Sequence, residues 1–346
     1  VARLAGVSRA TVSYVLNQRQ DGKIPISDVT REKVLKAAET LGYEPNDLAR
    51  SLRTGESKSI GVLIPSVNNP HYWEILEGAE EVISQNGYHL ALVISNLDAN
   101  RERECLRSLF KQRLDGLILM PTYADLFQEE LVSLRAMKIP TIFTNPTDGM
   151  DWVFPNITQG AELMMDHILS LGHTRIALIN GTARKRLTQS RREVYQQKLI
   201  SHGIPVIDEY IRDCGPKIED GYRETLILLE LPNPPTAIWA INDLLAFGVL
   251  SAIQEKNLRV PEDIAVAGFD DIPFARYYSP SLTTIRMPSK TVGRRAAEFL
   301  FQRLQNPRLE PMQEVLDTEL IIRKSTVKQA TCQPIPLDIT PKQIIE

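Results

Sequence analysis

The chain has 346 residues, 43% of them hydrophobic, enough for two or three domains with their own cores. Its net charge of −3 excludes a uniformly basic nucleic-acid coat, but residues 1–58 carry ten Lys/Arg against seven Asp/Glu, so a net +3 head precedes a body of −6. Three widely spaced cysteines without a CxxC pair argue against a disulfide framework or a zinc site, and no apolar run reaches the length of a membrane span. A reducing, cytoplasmic setting is the expectation, with no signal segment. Val1 already sits inside an apolar helical pattern, so a few residues are expected to be missing before it.

In chain order, Leu4 and Ala5 close a helical turn and Gly6 allows a sharp bend. Ser8 then caps a second helix through its hydroxyl. On that helix Val12, Val15 and Leu16 share one face at a period of 3.6, while Arg9, Ala10, Ser13, Tyr14 and Asn17 occupy the other. The pattern fits either a DNA-binding helix–turn–helix or an ordinary helical hairpin. After a polar segment from Gln18 to Pro25, Ser27 caps a third helix over Asp28–Leu41, stopped by Gly42 and Pro45. Asn46 caps a two-turn segment, Asp47 to Arg53, too short to be stable alone and therefore expected to order conditionally.

From Ser59 onward apolar runs alternate with amphipathic helices. Strands are expected at Ser59–Pro65, Tyr88–Ile94, Gly116–Met120 and Pro140–Asn145, with helices at Trp73–Gln85, Arg101–Arg113 and Leu126–Met137 between them. The rhythm restarts after Trp152, with strands at Arg175–Asn180, Ala237–Asn242 and Ile264–Phe269. Helices are expected at Gln159–Leu171, Arg191–Ser201, Gly221–Leu229 and Leu244–Lys256. Two such halves predict two doubly wound parallel-sheet subdomains whose facing carboxyl edges form a ligand cleft.

Several motifs, in order, carry a resemblance to one family: Leu4-Ala-Gly-Val-Ser8, Thr11-Val-Ser-Tyr-Val-Leu-Asn17, Leu41-Gly-Tyr-Glu-Pro-Asn46, Ala49-Arg-Ser-Leu-Arg53, Asn69-Pro70, Ile241-Asn-Asp243, Gly268-Phe-Asp-Asp271 and Leu282-Thr-Thr-Ile285. Over nearly its whole length the chain resembles the LacI/GalR family of bacterial transcription regulators. The resemblance implies an α/β effector-binding body of the type I periplasmic-binding-protein kind behind an all-α helix–turn–helix head and hinge helix. The expected boundaries are a head at 1–45, a hinge helix and linker at 46–57, a core at 58–328 and a disordered tail at 329–346. Within the core, one subdomain takes about 58–156 and 287–306, the other about 157–284 and 310–326.

The resemblance further implies a homodimer on a pseudo-palindromic double-stranded operator, a repressor role, and a small effector such as a sugar. Arg9, Ala10 and Tyr14 fall at base-reading positions, where an arginine pairs bidentately with guanine. Tyr14 stands where Arg or His is common. Ser8, Thr11, Ser13 and Asn17 would contact the phosphate backbone, Asn46, Ala49 and Arg50 the hinge-helix site, and Leu52 would wedge into the minor groove. In the cleft, His71, Tyr72, Arg191, Asn242, Asp243 and Asp270 are the implied effector contacts, with paired donors and acceptors suited to hydroxyls. Lys185 or Arg186 would add a cation. Asn145 and the Pro155-Asn156 pair depart from the acidic residues frequent at those positions. A solute-binding transport component is the alternative for the body, and an enzyme of sugar metabolism a second, but no phosphate-binding glycine loop, nucleophile elbow or metal-spaced histidine set is present. No cofactor or metal is expected, and the tail has no leucine heptad for higher assembly.

Overall fold

The computed structural model describes residues 1–16, 26–43, 56–122, 128–181 and 185–327. The chain divides into two compact units, one made of Val1–Lys58 with Arg113–Asp115, the other of the remaining residues.

In the first unit, α1 (Ala2–Ala5), α2 (Arg9–Leu16) and α3 (Asp28–Thr40) enclose a small core of Ala5, Val12, Val15, Val34 and Ala37. Gly6 takes a left-handed φ of 67°, the bend that an L side chain resists. The Ser8 hydroxyl accepts the Thr11 N–H at 3.0 Å, and Ser27 accepts that of Thr30 at 3.3 Å. Both helices therefore start where a side-chain oxygen satisfies an otherwise orphaned donor.

The second unit holds two parallel sheets. The first has the order β11-β5-β4-β3-β1-β2, from β1 (Ser59–Ile64), β2 (His89–Ile94), β3 (Gly116–Leu119), β4 (Thr141–Phe143), β5 (Asp151–Pro155) and β11 (Gln313–Leu316). The second has the order β7-β6-β8-β9, from β6 (Ile176–Gly181), β7 (Ile211–Cys214), β8 (Ala237–Ala240) and β9 (Ala265–Ala267). Runs such as Ile60-Gly-Val-Leu-Ile64 and Ala237-Ile-Trp-Ala240 are buried along their length, as strands covered by helices on both faces must be. A third, antiparallel pair joins β10 (Thr284–Arg286) to β12 (Glu319–Ile321).

Helices α4 (Pro70–Gln85), α5 (Ala99–Lys111), α6 (Gln128–Met137) and α12 (Ser289–Gln305) accompany the first sheet. Helices α7 (Ile157–Ser170), α8 (Lys185–Ser201), α9 (Ile218–Leu229), α10 (Asp243–Glu255) and the short α11 (Pro273–Tyr277) accompany the second. Each subdomain contains one helix pair in backbone contact through facing glycines. A Cβ on Gly78 of α4 would lie 2.0 Å from the Lys290 carbonyl oxygen of α12, and one on Gly293 would lie 1.8 Å from that of Ile75. In the other subdomain Gly221 and Gly248 bring α9 and α10 together in the same way.

The chain crosses between the subdomains three times: after β5 at Asn156, after β10 at Met287, and after β11 near Thr318. The first and third crossings are sewn together. Asn156 N–H donates to the Leu316 carbonyl at 2.7 Å, and Thr318 N–H donates to Gln159 Oε1 at 3.0 Å. Placing 310–326 wholly in the second subdomain, as the sequence suggests, needs correction, because β11 pairs with β5 on the edge of the first sheet and only β12 lies with the second. The short, half-exposed β11 carries too little apolar pattern to reveal where it docks.

Candidate functional site: an exposed helix face and a cleft between two sheets

On α2 the residues expected to meet DNA divide by exposure. Ser8, Arg9 and Ala10 are exposed, while Thr11 and Ser13 are half-buried. Ser8 and Thr11 also share a hydroxyl–hydroxyl contact of 2.9 Å, so both serve the helix start. Tyr14 requires a correction: it is only 7% exposed, where the sequence puts it on the outer face with Arg9. Tyr14 directly precedes Val15 of the buried stripe, and helical period alone does not decide whether so large a side chain lies outward or is covered. Asn17, Asn46, Ala49, Arg50 and Leu52 lie outside the described residues.

In the second unit the carboxyl ends of β1, β2, β3, β4, β6, β7, β8 and β9 open onto one cavity of about 510 Å³. That is the switch-point position at which open α/β sheets take up ligands. Its floor is apolar, with Ile75, Met120, Phe154, Ile157, Ile241 and Met287, and its polar groups are concentrated on two sides.

From the first subdomain come the loop after β1 and the start of α4. Asn69 caps α4, its Oδ1 accepting the His71 N–H at 3.0 Å, and Pro70 fits the first helical position, where no donor is needed. Starting the helix at Pro70, three residues before the sequence expectation of Trp73, turns His71 and Tyr72 into the cavity. His71 Nδ1 lies 2.8 Å from Ser289 Oγ, and its ring meets Tyr72 edge-on at 5.2 Å between centroids. Asn145, after β4, is 8% exposed and lines the same wall.

From the second subdomain come Arg191, Lys217, Asn242 and Asp270. Arg191 sits well inside α8 rather than at its start, its guanidinium stacked 4.4 Å from the centre of the Phe269 ring. Such stacking orients the planar donor fork and offsets part of its loss of water. Asn242 both caps α10, accepting the Leu245 N–H at 2.7 Å, and faces the cavity. Asp270 follows β9 with φ 122°, a left-handed conformation uncommon for a residue with a side chain. Its Oδ2 accepts from Asn69 Nδ2 of the opposite subdomain at 3.0 Å.

Asp243 does not join them. It is fully buried beneath the cavity wall, with Oδ1 accepting the Thr284 hydroxyl at 2.6 Å and Oδ2 the Ile272 N–H at 2.8 Å. Burial, reinforced by the nearby Asp270, pushes its carboxyl well above the usual carboxylate range. The pair Asn242-Asp243 looks alike in sequence, yet the first helical turn sends one side chain outward and the next inward. Glu74 on α4 is also pushed up, chiefly by burial and then by Asp270 and Asp271.

Of the six cavity residues read from sequence, His71, Tyr72, Arg191, Asn242 and Asp270 come together here. Missed were Asn69, whose Asn-Pro motif is itself a helix-start signal, and Lys217, which no local pattern distinguishes. The side chains of Lys185 and Arg186 lie outside the description. Among the described residues no helix is long and apolar enough to cross a membrane.

Comparison with known proteins identifies the family. Residues 1–46 match the model of bacterial regulatory proteins of the lacI family, and residues 165–326 match the periplasmic binding protein-like domain. The chain is 34% identical to the ribose operon repressor of Haemophilus influenzae over 94% of its own length and 97% of that protein. It is 33% identical to the transcriptional repressor PurR of Photobacterium profundum, again over 94% of this chain and 97% of the relative. Among solved structures it superposes on the lac repressor dimer bound to operator and the anti-inducer ONPF with a TM-score of 0.82, at 28% identity over 94% of this chain and 97% of that one. A LacI family regulator from Enterococcus faecium with bound ribose gives a TM-score of 0.69 at 28% identity, covering 78% of this chain and 98% of that one. Similarity of this extent to full-length repressors, with a helix–turn–helix and a cleft in the matching stretches, means that the chain belongs to the lacI family of bacterial regulatory proteins and is a DNA-binding transcription regulator.

Proposed function

We propose that this regulator is a repressor that binds a pseudo-palindromic operator as a homodimer, with Arg9 and Ala10 of α2 reading base edges. A small polyhydroxylated effector held between His71, Tyr72, Asn242, Arg191 and Asp270 sets its affinity for DNA. The single observation carrying the reading is the cavity itself: donors and acceptors from two subdomains converge on an apolar floor, so a ligand touching both walls favours one relative orientation of the two lobes. The three crossings limit the lobes to hinge-like motion, which a ligand touching both walls would bias; the expected hinge segment 46–53 lies outside the described residues.

Ribose stands in the name of one relative and is the bound ligand of one solved relative, and the chemistry of the cavity fits such a pentose. The polar groups suit an array of hydroxyls, while Tyr72 and Phe154 supply apolar surface for a sugar face. Enrichment of duplexes from a random pool, followed by fluorescence anisotropy of the selected operator against ribose, other pentoses, hexoses and purines, tests it. Sequence-specific binding altered by a sugar is expected; no selected sequence, or a response to purines alone, overturns it.

A further inference from the structure

The turn that presents Asp270 is held in a conformation its own residues do not favour. Asp270 and Asp271, neither of them glycine, take φ values of 122° and 56° in succession. Such conformations persist where surrounding contacts over-determine them. Two of the three amides of the turn are tied, directly or through one hydroxyl, to a single side chain, that of Asp243. Ile272 N–H donates to Asp243 Oδ2 at 2.8 Å. Asp271 N–H donates to Thr284 Oγ1 at 3.4 Å, and the Thr284 hydroxyl passes the link on to Asp243 Oδ1 at 2.6 Å. The third amide of the turn, that of Asp270, donates to the Ile285 carbonyl at 2.9 Å, next along β10.

Room for the clamp is also built in. A Cβ on Gly268 would stand 2.3 Å from Asp243 Oδ1, so the glycine opening the Gly268-Phe-Asp-Asp271 run leaves space for the carboxyl behind it. The clamp is set on a rigid element, since Asp243 is the first residue of α10 and follows the capping Asn242. The charged groups facing it are Asp270 and Asp271 of the turn, and the Asp271 carboxylate is itself held by Arg286 at 2.8 Å and Arg323 at 2.6 Å.

We propose that Asp243 is the positioning residue of the cavity, its buried carboxyl fixing the Asp270–Ile272 turn from behind and so setting where the Asp270 carboxylate stands opposite Asn69. The inference deepens the effector-site reading above, in which Asp270 is a ligand contact. The clamp acts on the empty site, however, so it is tested there and its outcome does not depend on which ligand binds.

The experiment uses the full chain without ligand, with 15N-labelled asparagine and the Asn69 side-chain amide assigned from its loss in Asn69→Ala. Its solvent exchange reports the bond to Asp270. In Asp243→Ala that exchange is expected to accelerate about tenfold or more. Asp243→Asn, which still offers an acceptor to Ile272, should retain part of the protection. Throughout, the backbone amides of β6 and β8 keep their wild-type rates. Thr284→Val, which breaks only the relayed link, decides the matter should the alanine variant fail to fold, and a gain in Asn69 exchange is expected there too. Unchanged Asn69 exchange, or loss of protection in β6 and β8 to the same degree, overturns the proposal.

Discussion

Asn69 and Asp270 lie in different subdomains, 201 residues apart in sequence, and are joined by a 3.0 Å hydrogen bond across the cleft. One side chain thus does two things, since Asn69 Oδ1 caps α4 while its Nδ2 holds a carboxylate of the opposite wall. Replacing Asp270 with Ala removes an acceptor aimed at the ligand and breaks the bridge. Hydrogen bonds to charged groups contribute about 1.5–3 kcal/mol, so the effector affinity should fall at least tenfold. Calorimetric titration with the sugar that best raises the melting temperature measures this, and an unchanged Kd would remove Asp270 from the site.

The DNA-facing head separates two substitutions that sequence alone would group. Arg9 is exposed, and Arg9→Ala should cost about 1–3 kcal/mol of discrimination at one base pair while leaving the fold intact. Tyr14 is buried, and Tyr14→Ala should instead destabilise the small head by roughly 3 kcal/mol, lowering the affinity for all DNA sequences together. Anisotropy titrations against an operator set varied one base pair at a time distinguish the patterns; a change of base preference in Tyr14→Ala with unaltered head stability would return that residue to the reading face. Leu52→Ala is expected to weaken operator binding while sparing the effector.

Gly293 is the glycine of the first subdomain whose added Cβ would approach backbone most closely. A methyl group there meets the Ile75 carbonyl oxygen at 1.8 Å, a backbone atom that no rotamer can move aside. Gly293→Ala must push α12 away from α4, at a cost of about 1–3 kcal/mol by analogy with overpacked cores. Urea unfolding should register a lower midpoint, and wild-type stability would contradict the helix contact described above.

Acid should weaken the second subdomain through buried His167 and half-buried His173. His167 Nε2 lies 2.9 Å from Thr326 Oγ1, and burial, with His173 adding to it, holds its pKa below 6.5. His173 is lowered by burial as well. The unfolded chain therefore takes up protons first, and stability falls as pH drops through 6.5 until the folded histidines protonate in turn. Melting temperatures between pH 8 and roughly pH 5 should decline, and His167→Gln should flatten part of that decline. A slope identical to wild type would place the effect elsewhere.

What the sequence revealed follows from how each signal is encoded. Buried parallel strands such as Ile60–Ile64 and Ala237–Ala240 are unbroken apolar runs and are read directly. Strand β7, Ile211-Arg-Asp-Cys214, is an edge strand with two polar positions in four and carries no such run. The cavity residues were found where a strand ends in a motif, as with Asn242 and Asp270. Asp243 was misplaced because neighbouring polar residues at a strand end differ only in the direction that the helix start gives them. Lys217 and the Asn69–Asp270 bridge depend on segments far apart in the chain, which local pattern does not encode.

The three crossings bear on how the protein is made. The first sheet takes its edge strand β11 from residues 313–316, and its α4 face is covered by α12, which begins only at Ser289. During synthesis, residues 59–155 emerge with the Gly78 face of α4 uncovered and a sheet edge open, and they stay so while residues 156–287 of the second subdomain are translated. The second subdomain has its four-stranded sheet complete by residue 267, but its core still lacks Leu282, Ile285 and Met287, and β12 arrives only at Glu319–Ile321. Both cores thus close only with residues 313–321, so a chain stopped before residue 313 would leave apolar surface open on each subdomain, the form in which this regulator is most exposed to aggregation.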